Sequence, residues 1–263
     1  MRRSLTLRRS LAALALPLLL GGLAACGDDA TEGSSSTSPD QPSAVDKADF
    51  ADDLKAGLEE STTAQMIMHM DMGGESIHAD GEVDYTSTPP QLAMTMESPV
   101  MPDQSIEMRM VDKVLYMNMG QMTNGKYVSF DLDDAANLPP GMDQLTGTMD
   151  PLAAFESFGD AVQSVVLVGD EHVKGDAVRH FKVRVDTSKI QQLQKLPTQA
   201  EMPKEVPYDI WLDDDNRVRK MTMDMDVQGS PVKVEIELFD WDEPVDIAAP
   251  PAGEIVKQEA FAG

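Results

Sequence analysis

The chain has 263 residues, 21 basic and 46 acidic side chains, a formal net charge of −25 and a single cysteine. That charge argues against nucleic acid and anionic polymers as partners, and one cysteine rules out a disulfide within the chain. Hydrophobic residues reach 41% but aromatics only 5%, so the 19 methionines take up part of the aromatics' space-filling role.

The amino terminus reads MRRSLTLRRSLAALALPLLLGGLAACGDD. Four arginines, an apolar run from Leu11 to Leu20 and a stretch of small residues follow the order of a secretory signal. The run is too short for a lasting membrane span. Leu23-Ala24-Ala25-Cys26 matches the bacterial lipobox, in which the cysteine becomes the lipid-bearing first residue; an ordinary signal peptide with an incidental cysteine is the alternative. The expectation is a signal peptide over 1–25, lipidation at Cys26, and a membrane partner reached through that anchor. The protein would then sit at the cell membrane, lipid-anchored on its extracytoplasmic face. Two acyl chains suffice for stable anchoring where one is marginal. Cleavage before Cys26 removes four arginines and no acid, which takes the net charge to −29.

Residues 26–45, ending GDDATEGSSSTSPDQPSAV, carry almost no large apolar side chain and read as a disordered tether. Its root-mean-square reach is roughly 25 Å. Residues 46–263 read as a single domain. It opens with Phe50, Leu54 and Leu58 spaced by four among acids, the pattern of a docked amphipathic helix.

The period then changes to two. Met66, Met68, Met70 and Met72 alternate with Ile67, His69 and Asp71, and Gly73-Gly74 leads into Ile77, Ala79, Gly81 and Val83. A two-residue glycine turn sets Met70 opposite Ile77, Met68 opposite Ala79 and His69 opposite His78. Met94 and Met96, then Ile106, Met108 and Met110, then Leu115, Met117 and Met119 continue the same pattern. Asn124-Gly125 predicts a hairpin with Met119 opposite Phe130 and Met117 opposite Leu132. Asp133 to Val168 shows no period of two and reads as a loop with one or two short helices, Pro151 near the start of one. Residues 187–196 read as a further short helix. VPYDIWLDDDNRVRKMTMDMDV predicts two strands pairing Ile210 with Met221 and Tyr208 with Met223, followed by a strand through Val232, Val234, Ile236 and Leu238.

Catalytic constellations are not evident: there is no G-x-S-x-G, Gly-rich phosphate loop or H-E-x-x-H, and the four histidines are scattered. No enzyme activity and no cofactor are therefore expected. Thioethers suit Cu(I), but the methionines belong to the inner face and His69 and His78 to the outer one, so no single ion meets both sets. The reading assigns no metal; were an ion held, His69 and His78 are the candidates. The methionines are then either a filled core or the lining of a cavity, because methionine adapts its shape where a rigid core would use Leu, Ile and Phe.

DPLAAFESFGDAVQSVVLVGDEHVKGDAVRHFKVRVDTSKI from Asp150, and VPYDIWLDDDNRVRKMTMDM after it, resemble the LppX/LprAFG lipoproteins of mycobacteria and other actinobacteria. The likeness lies in Gly169 to Gly175 leading into a strand, and in Trp211-Leu212-Asp213 ending a strand before a basic-then-apolar one. It extends over nearly all of residues 46 to 245. The resemblance implies a lipoprotein-carrier fold: a half-barrel whose concave face encloses a hydrophobic cavity for acylated lipids or lipoglycans. It implies no catalytic residues.

The expected fold is thus α+β, a half-open antiparallel β-barrel or curved sheet, with helices covering the concave apolar face. The expected cavity lining is Met66, Met68, Met70, Met94, Met96, Met108, Met110, Met117, Met119, Ile210, Met221 and Met223, with the segment from Leu138 to Phe158 as a movable cover. The expected function is binding of an acylated lipid or lipoglycan for transport across the envelope. An envelope sensor with a filled core, or a copper-binding lipoprotein, are the rivals.

Overall fold

The computed structural model describes residues 42–97, 105–134, 157–189, 203–227 and 229–257. Contacts divide the chain between Thr37 and Ser38, and all of these residues belong to the second unit, Ser38–Gly263. Its strands are β1 (Ser43–Val45), β2 (Thr63–Met72), β3 (Glu75–Asp84), β4 (Gln91–Glu97), β5 (Ser105–Val111), β6 (Val114–Asn118), β7 (Tyr127–Asp131), β8 (Val162–Val173), β9 (Asp176–Asp186), β10 (Glu205–Leu212), β11 (Val218–Val227), β12 (Ser230–Phe239) and β13 (Ile255–Lys257); helix α1 spans Lys47–Glu59.

The thirteen strands form one curved, unclosed sheet in the order β1-β8-β9-β10-β11-β12-β2-β3-β4-β5-β6-β7-β13. Two antiparallel meanders, β2 to β7 and β8 to β12, are joined where β12 pairs with β2. Among the described residues, only the pairing of β13 on β7 is parallel. The expected half-open, sheet-dominated architecture is what forms.

Helix α1 starts at Asp46, whose carboxylate accepts from the Ala48 N–H at 2.8 Å, and buries Phe50, Leu54 and Leu58 as their spacing requires. The stripe docks over β8 to β10. Phe50 meets Phe181 with ring centroids 5.1 Å apart, in a cluster with Val165, Val183, Ile210 and Leu212. Gly57 is buried against the Asn216 backbone, and a Cβ there would lie 2.3 Å from the Asn216 carbonyl oxygen. A second, smaller cluster of Leu115, Val128 and Phe130 closes the far end of the sheet.

Three local expectations are corrected. The sheet begins inside the expected tether: Ser43–Val45 pair with Leu167–Val165, and Val45 packs on the α1 cluster, so burying one valine and the β8 edge outweighs the polar composition around it. Strand β8 occupies Val162–Val173 and so begins inside the stretch up to Val168 where the sequence showed no alternation. Bulges between Val162 and Ser164 and between Leu167 and Gly169 each insert a residue and break the period of two. Finally, Leu115 faces Phe130 and Met117 faces Val128. A 3-10 turn at Gly120–Thr123 takes four residues out of the expected hairpin, fixed by the Thr123 hydroxyl accepting from Met119 N–H at 3.0 Å. The slip is even, so every side chain keeps its face.

The helical turns at 157–161 and 187–189 are short. Pro151, the remainder of the expected helix at 187–196 and nearly all of the segment from Leu138 to Phe158 lie outside the described residues. Among the described residues no helix is long and apolar enough to cross a membrane.

Candidate functional site

The inner face of the sheet is the one that carries α1, and cross-strand pairing arranges it in apolar rows. One row runs Leu167, Phe181, Ile210, Met221, Ile236, Met68, Ala79, Met96 and Ile106, from β8 to β5. A neighbouring row runs Leu238, Met66, Gly81, Met94, Met108, Met117 and Val128. A third joins Tyr208, Met223, Val234, Met70 and Ile77. Directly opposed side chains lie about 5 Å apart at Cβ, so each row is a continuous strip of contact.

Covering is uneven along these rows. Ile210 is 2% exposed within the α1 cluster, Met221 packs against that cluster, and Met110 is 5% exposed. Met108 and Met117 pack on the second cluster. Met119 lies beyond the end of β6, half-buried at the 3-10 turn. Between the two clusters Met66, Met68, Met70, Met94, Met96 and Met223 are half-buried on β11, β2 and β4. These six form the open middle of the inner face. Sequence reasoning missed its floor, which is built from small residues on β3.

Ala79 is fully covered, and a Cβ at Gly81 would come within 3.5 Å of both Met66 Cε and Met94 Cβ. The Met66 side chain therefore lies against Gly81, and Ala79 is enclosed in its row between Met68 and Met96. The signal was in the sequence, since Ala79 and Gly81 alternate with charged residues as regularly as the methionines do. A hollow over β2 to β5 is bounded by Ile67, Asp80, Glu82, Thr95, Glu107 and Arg109, whose register places them on the outer face, so it is not part of the inner apolar surface.

The outer face carries the histidines. His69 and His78 are opposite each other as expected, with Nδ1 atoms 3.2 Å apart. Among the described residues no three His, Cys, Asp or Glu side chains converge on one point. The methionine sulfurs and these imidazoles are on opposite faces, so one ion cannot use both.

The profile of the LppX_LprAFG lipoproteins matches residues 62–247. This chain belongs to the LppX_LprAFG lipoprotein family. Among solved structures, it is similar to LprF from Mycobacterium bovis, at 18% identity and a TM-score of 0.53, covering 78% of this chain and 96% of that one. It is also similar to the lipoprotein LppX from Mycobacterium tuberculosis, at 13% identity and a TM-score of 0.51, covering 78% of this chain and 100% of that one. These likenesses establish the fold. A comparison with curated proteins returned no match.

Within this LppX_LprAFG fold, the two motifs that carry the resemblance are tied together on the outer face. Trp211 Nε1 donates to Glu171 Oε2 at 2.8 Å. His180, 7% exposed, stacks on Trp211 with centroids 4.3 Å apart, and its ring nitrogens lie 2.8 Å from Glu171 Oε1 and 2.6 Å from Asp209 Oδ1. The Trp211 N–H, ahead of the His180 contacts, holds the Glu171 carboxyl below its ordinary range. His180 is the residue that the sequence left among scattered histidines. Its place between two outward-facing carboxylates needed the strand register to be seen.

Proposed function

We propose that this LppX_LprAFG lipoprotein is an envelope carrier. It is lipidated at Cys26 after removal of 1–25 and anchored on the extracytoplasmic face of the membrane by a tether from that cysteine to the single domain. It holds an acylated lipid or lipoglycan against the open middle of its inner face for passage across the envelope. The observation that carries the reading is the half-buried set Met66, Met68, Met70, Met94, Met96 and Met223 between two filled clusters.

A buried CH₂ contributes about 0.8 kcal/mol, so one long acyl chain gains on the order of 10 kcal/mol against water. The bilayer offers the same gain, and a carrier needs to match it without exceeding it. Methionines flanking Ala79 and Gly81 meet that need, because their three rotatable bonds let them swing aside without a rigid template. No catalytic step is assigned to the site. A filled-core envelope sensor is the second reading, favoured by the full coverage of Ala79.

The test is native mass spectrometry of a chain beginning at Gly27, which keeps β1, secreted from an actinobacterial host. Adducts that dissociate as acylated species are expected. Met108 packs on the second cluster, so the blocking substitution belongs at Met68, in the open middle. Met68→Trp is expected to remove the adducts while the near-ultraviolet circular dichroism stays native. A wild-type chain of bare mass, or adducts unaffected by Met68→Trp, favours the filled core.

A further inference from the structure

We propose that His69 and His78 form a two-imidazole site for a divalent transition-metal ion on the outer face, independent of any lipid bound inside. The pair is preset by the backbone: Gly73-Gly74 fixes the hairpin register, and that register places the two rings directly across from each other. Their Nδ1 atoms are 3.2 Å apart. Two nitrogens at Zn–N distances of about 2.0–2.1 Å and a tetrahedral angle are separated by about 3.3 Å. The rings thus already stand at the spacing of two ligands on one ion.

The second observation is the carboxylate behind them. Asp80 Oδ2 lies 2.9 Å from His78 Nε2. An ionised carboxylate only accepts, so this contact places the hydrogen on Nε2 and leaves the Nδ1 lone pair of a neutral His78 ring directed at His69. Carboxylate, histidine and metal in that order recur in protein metal sites, where the carboxylate fixes the tautomer and raises ligand basicity. Without an ion, the His69 Nδ1–H serves as donor to the same lone pair. With one, the His69 hydrogen moves to its own Nε2 and both lone pairs meet the metal.

The surroundings favour a cation and leave the site open. Glu235 and Glu97 hold the flanking positions of the same cross-strand row, and Asp71, Asp224, Lys233 and Glu235 share a recess with His69. Lys220 pairs with Glu235 at 2.8 Å, so that carboxylate is already engaged. With two protein ligands the remaining coordination positions fall to water or to a group from another molecule. Imidazole suits zinc, copper and nickel, and the Irving–Williams order makes Cu(II) the tightest of the divalent ions.

The test is a Cu(II) titration of the full chain in detergent micelles with excess calcium to occupy acidic patches, read by calorimetry and by nitrogen hyperfine structure in electron paramagnetic resonance. One ion per chain with two nitrogen ligands is expected. His69→Ala and His78→Ala should each lose the two-nitrogen signal, and Asp80→Asn should keep it while weakening affinity about ten- to a hundredfold. The double variant Met68→Leu/Met70→Leu should bind as wild type does. Equal uptake by a His69→Ala/His78→Ala chain, or a signal that depends on the methionines, overturns the assignment. Both histidines are on the solvent face, and circular dichroism of each variant separates loss of ligand from loss of fold.

Discussion

Tyr85 shows how single side chains tie the far end of the hairpin to the rest of the sheet. It follows β3, stacks on Trp241 with centroids 6.1 Å apart, and its hydroxyl is pushed by burial from 10.0 up to about 12. The neutral form is therefore the one the fold prefers. For a folded value raised above the unfolded one, the associated stability is whole below the unfolded value and disappears as pH rises through the folded one. The window runs from pH 10.0 to about 12, and the amount is on the order of 2 kcal/mol. Urea midpoints followed across that window should fall more steeply for wild type than for Tyr85→Phe. Parallel curves would show that the hydroxyl is solvated in the native state. The neighbouring Asp242 works in the opposite sense: the Thr62 N–H, and more weakly Arg217, hold its carboxyl below the ordinary range.

Elements were legible where local signals agreed and illegible where they competed. The β2–β3 and β10–β11 pairings followed from turn chemistry and alternation acting together, and Met68 opposite Ala79 and Ile210 opposite Met221 are observed. The β6–β7 register did not follow, because Asn124-Gly125 sits at the end of a 3-10 turn whose Asn118–Thr123 bonding has no two-residue-hairpin signature. Strand β8 was hidden by its own bulges. Helix α1 was read from Phe50, Leu54 and Leu58, yet nothing in that spacing shows why Gly57 must be glycine. The reason is tertiary: backbone of the β10–β11 turn sits where its side chain would be. Alanine normally favours a helix by about 1 kcal/mol over glycine. Here a 2.3 Å approach to a backbone oxygen cannot be relieved by a rotamer change, so Gly57→Ala should lower stability by about 1–3 kcal/mol. Thermal unfolding would check this, and a raised midpoint would mean that α1 moves freely over the turn.

At the scale of the whole molecule, the candidate site was half legible. The sequence named the methionines, since alternation assigns a face, but alternation is blind to what covers that face. Only the packed structure separates Ile210 and Met110, enclosed by protein, from the open set around Met68. The charge was fully legible, and it constrains how a carrier works. With a net charge of −25, or −29 once residues 1–25 are removed, the proposed carrier is repelled by anionic lipid headgroups, and the repulsion acts on approach, before any acyl chain can transfer. Screening shortens its range from about 10 Å at 0.1 M salt to about 3 Å at 1 M. Transfer of a fluorescent acyl lipid from the full chain to phosphatidylglycerol vesicles should therefore quicken as sodium chloride is raised, while transfer to neutral phosphatidylcholine vesicles stays nearly constant. Acyl exchange itself moves no charge, so a salt effect confined to anionic vesicles locates the barrier at docking. A salt effect equal for both surfaces would instead place it in the opening of the methionine-covered face, where ionic strength acts through the strength of the apolar contacts.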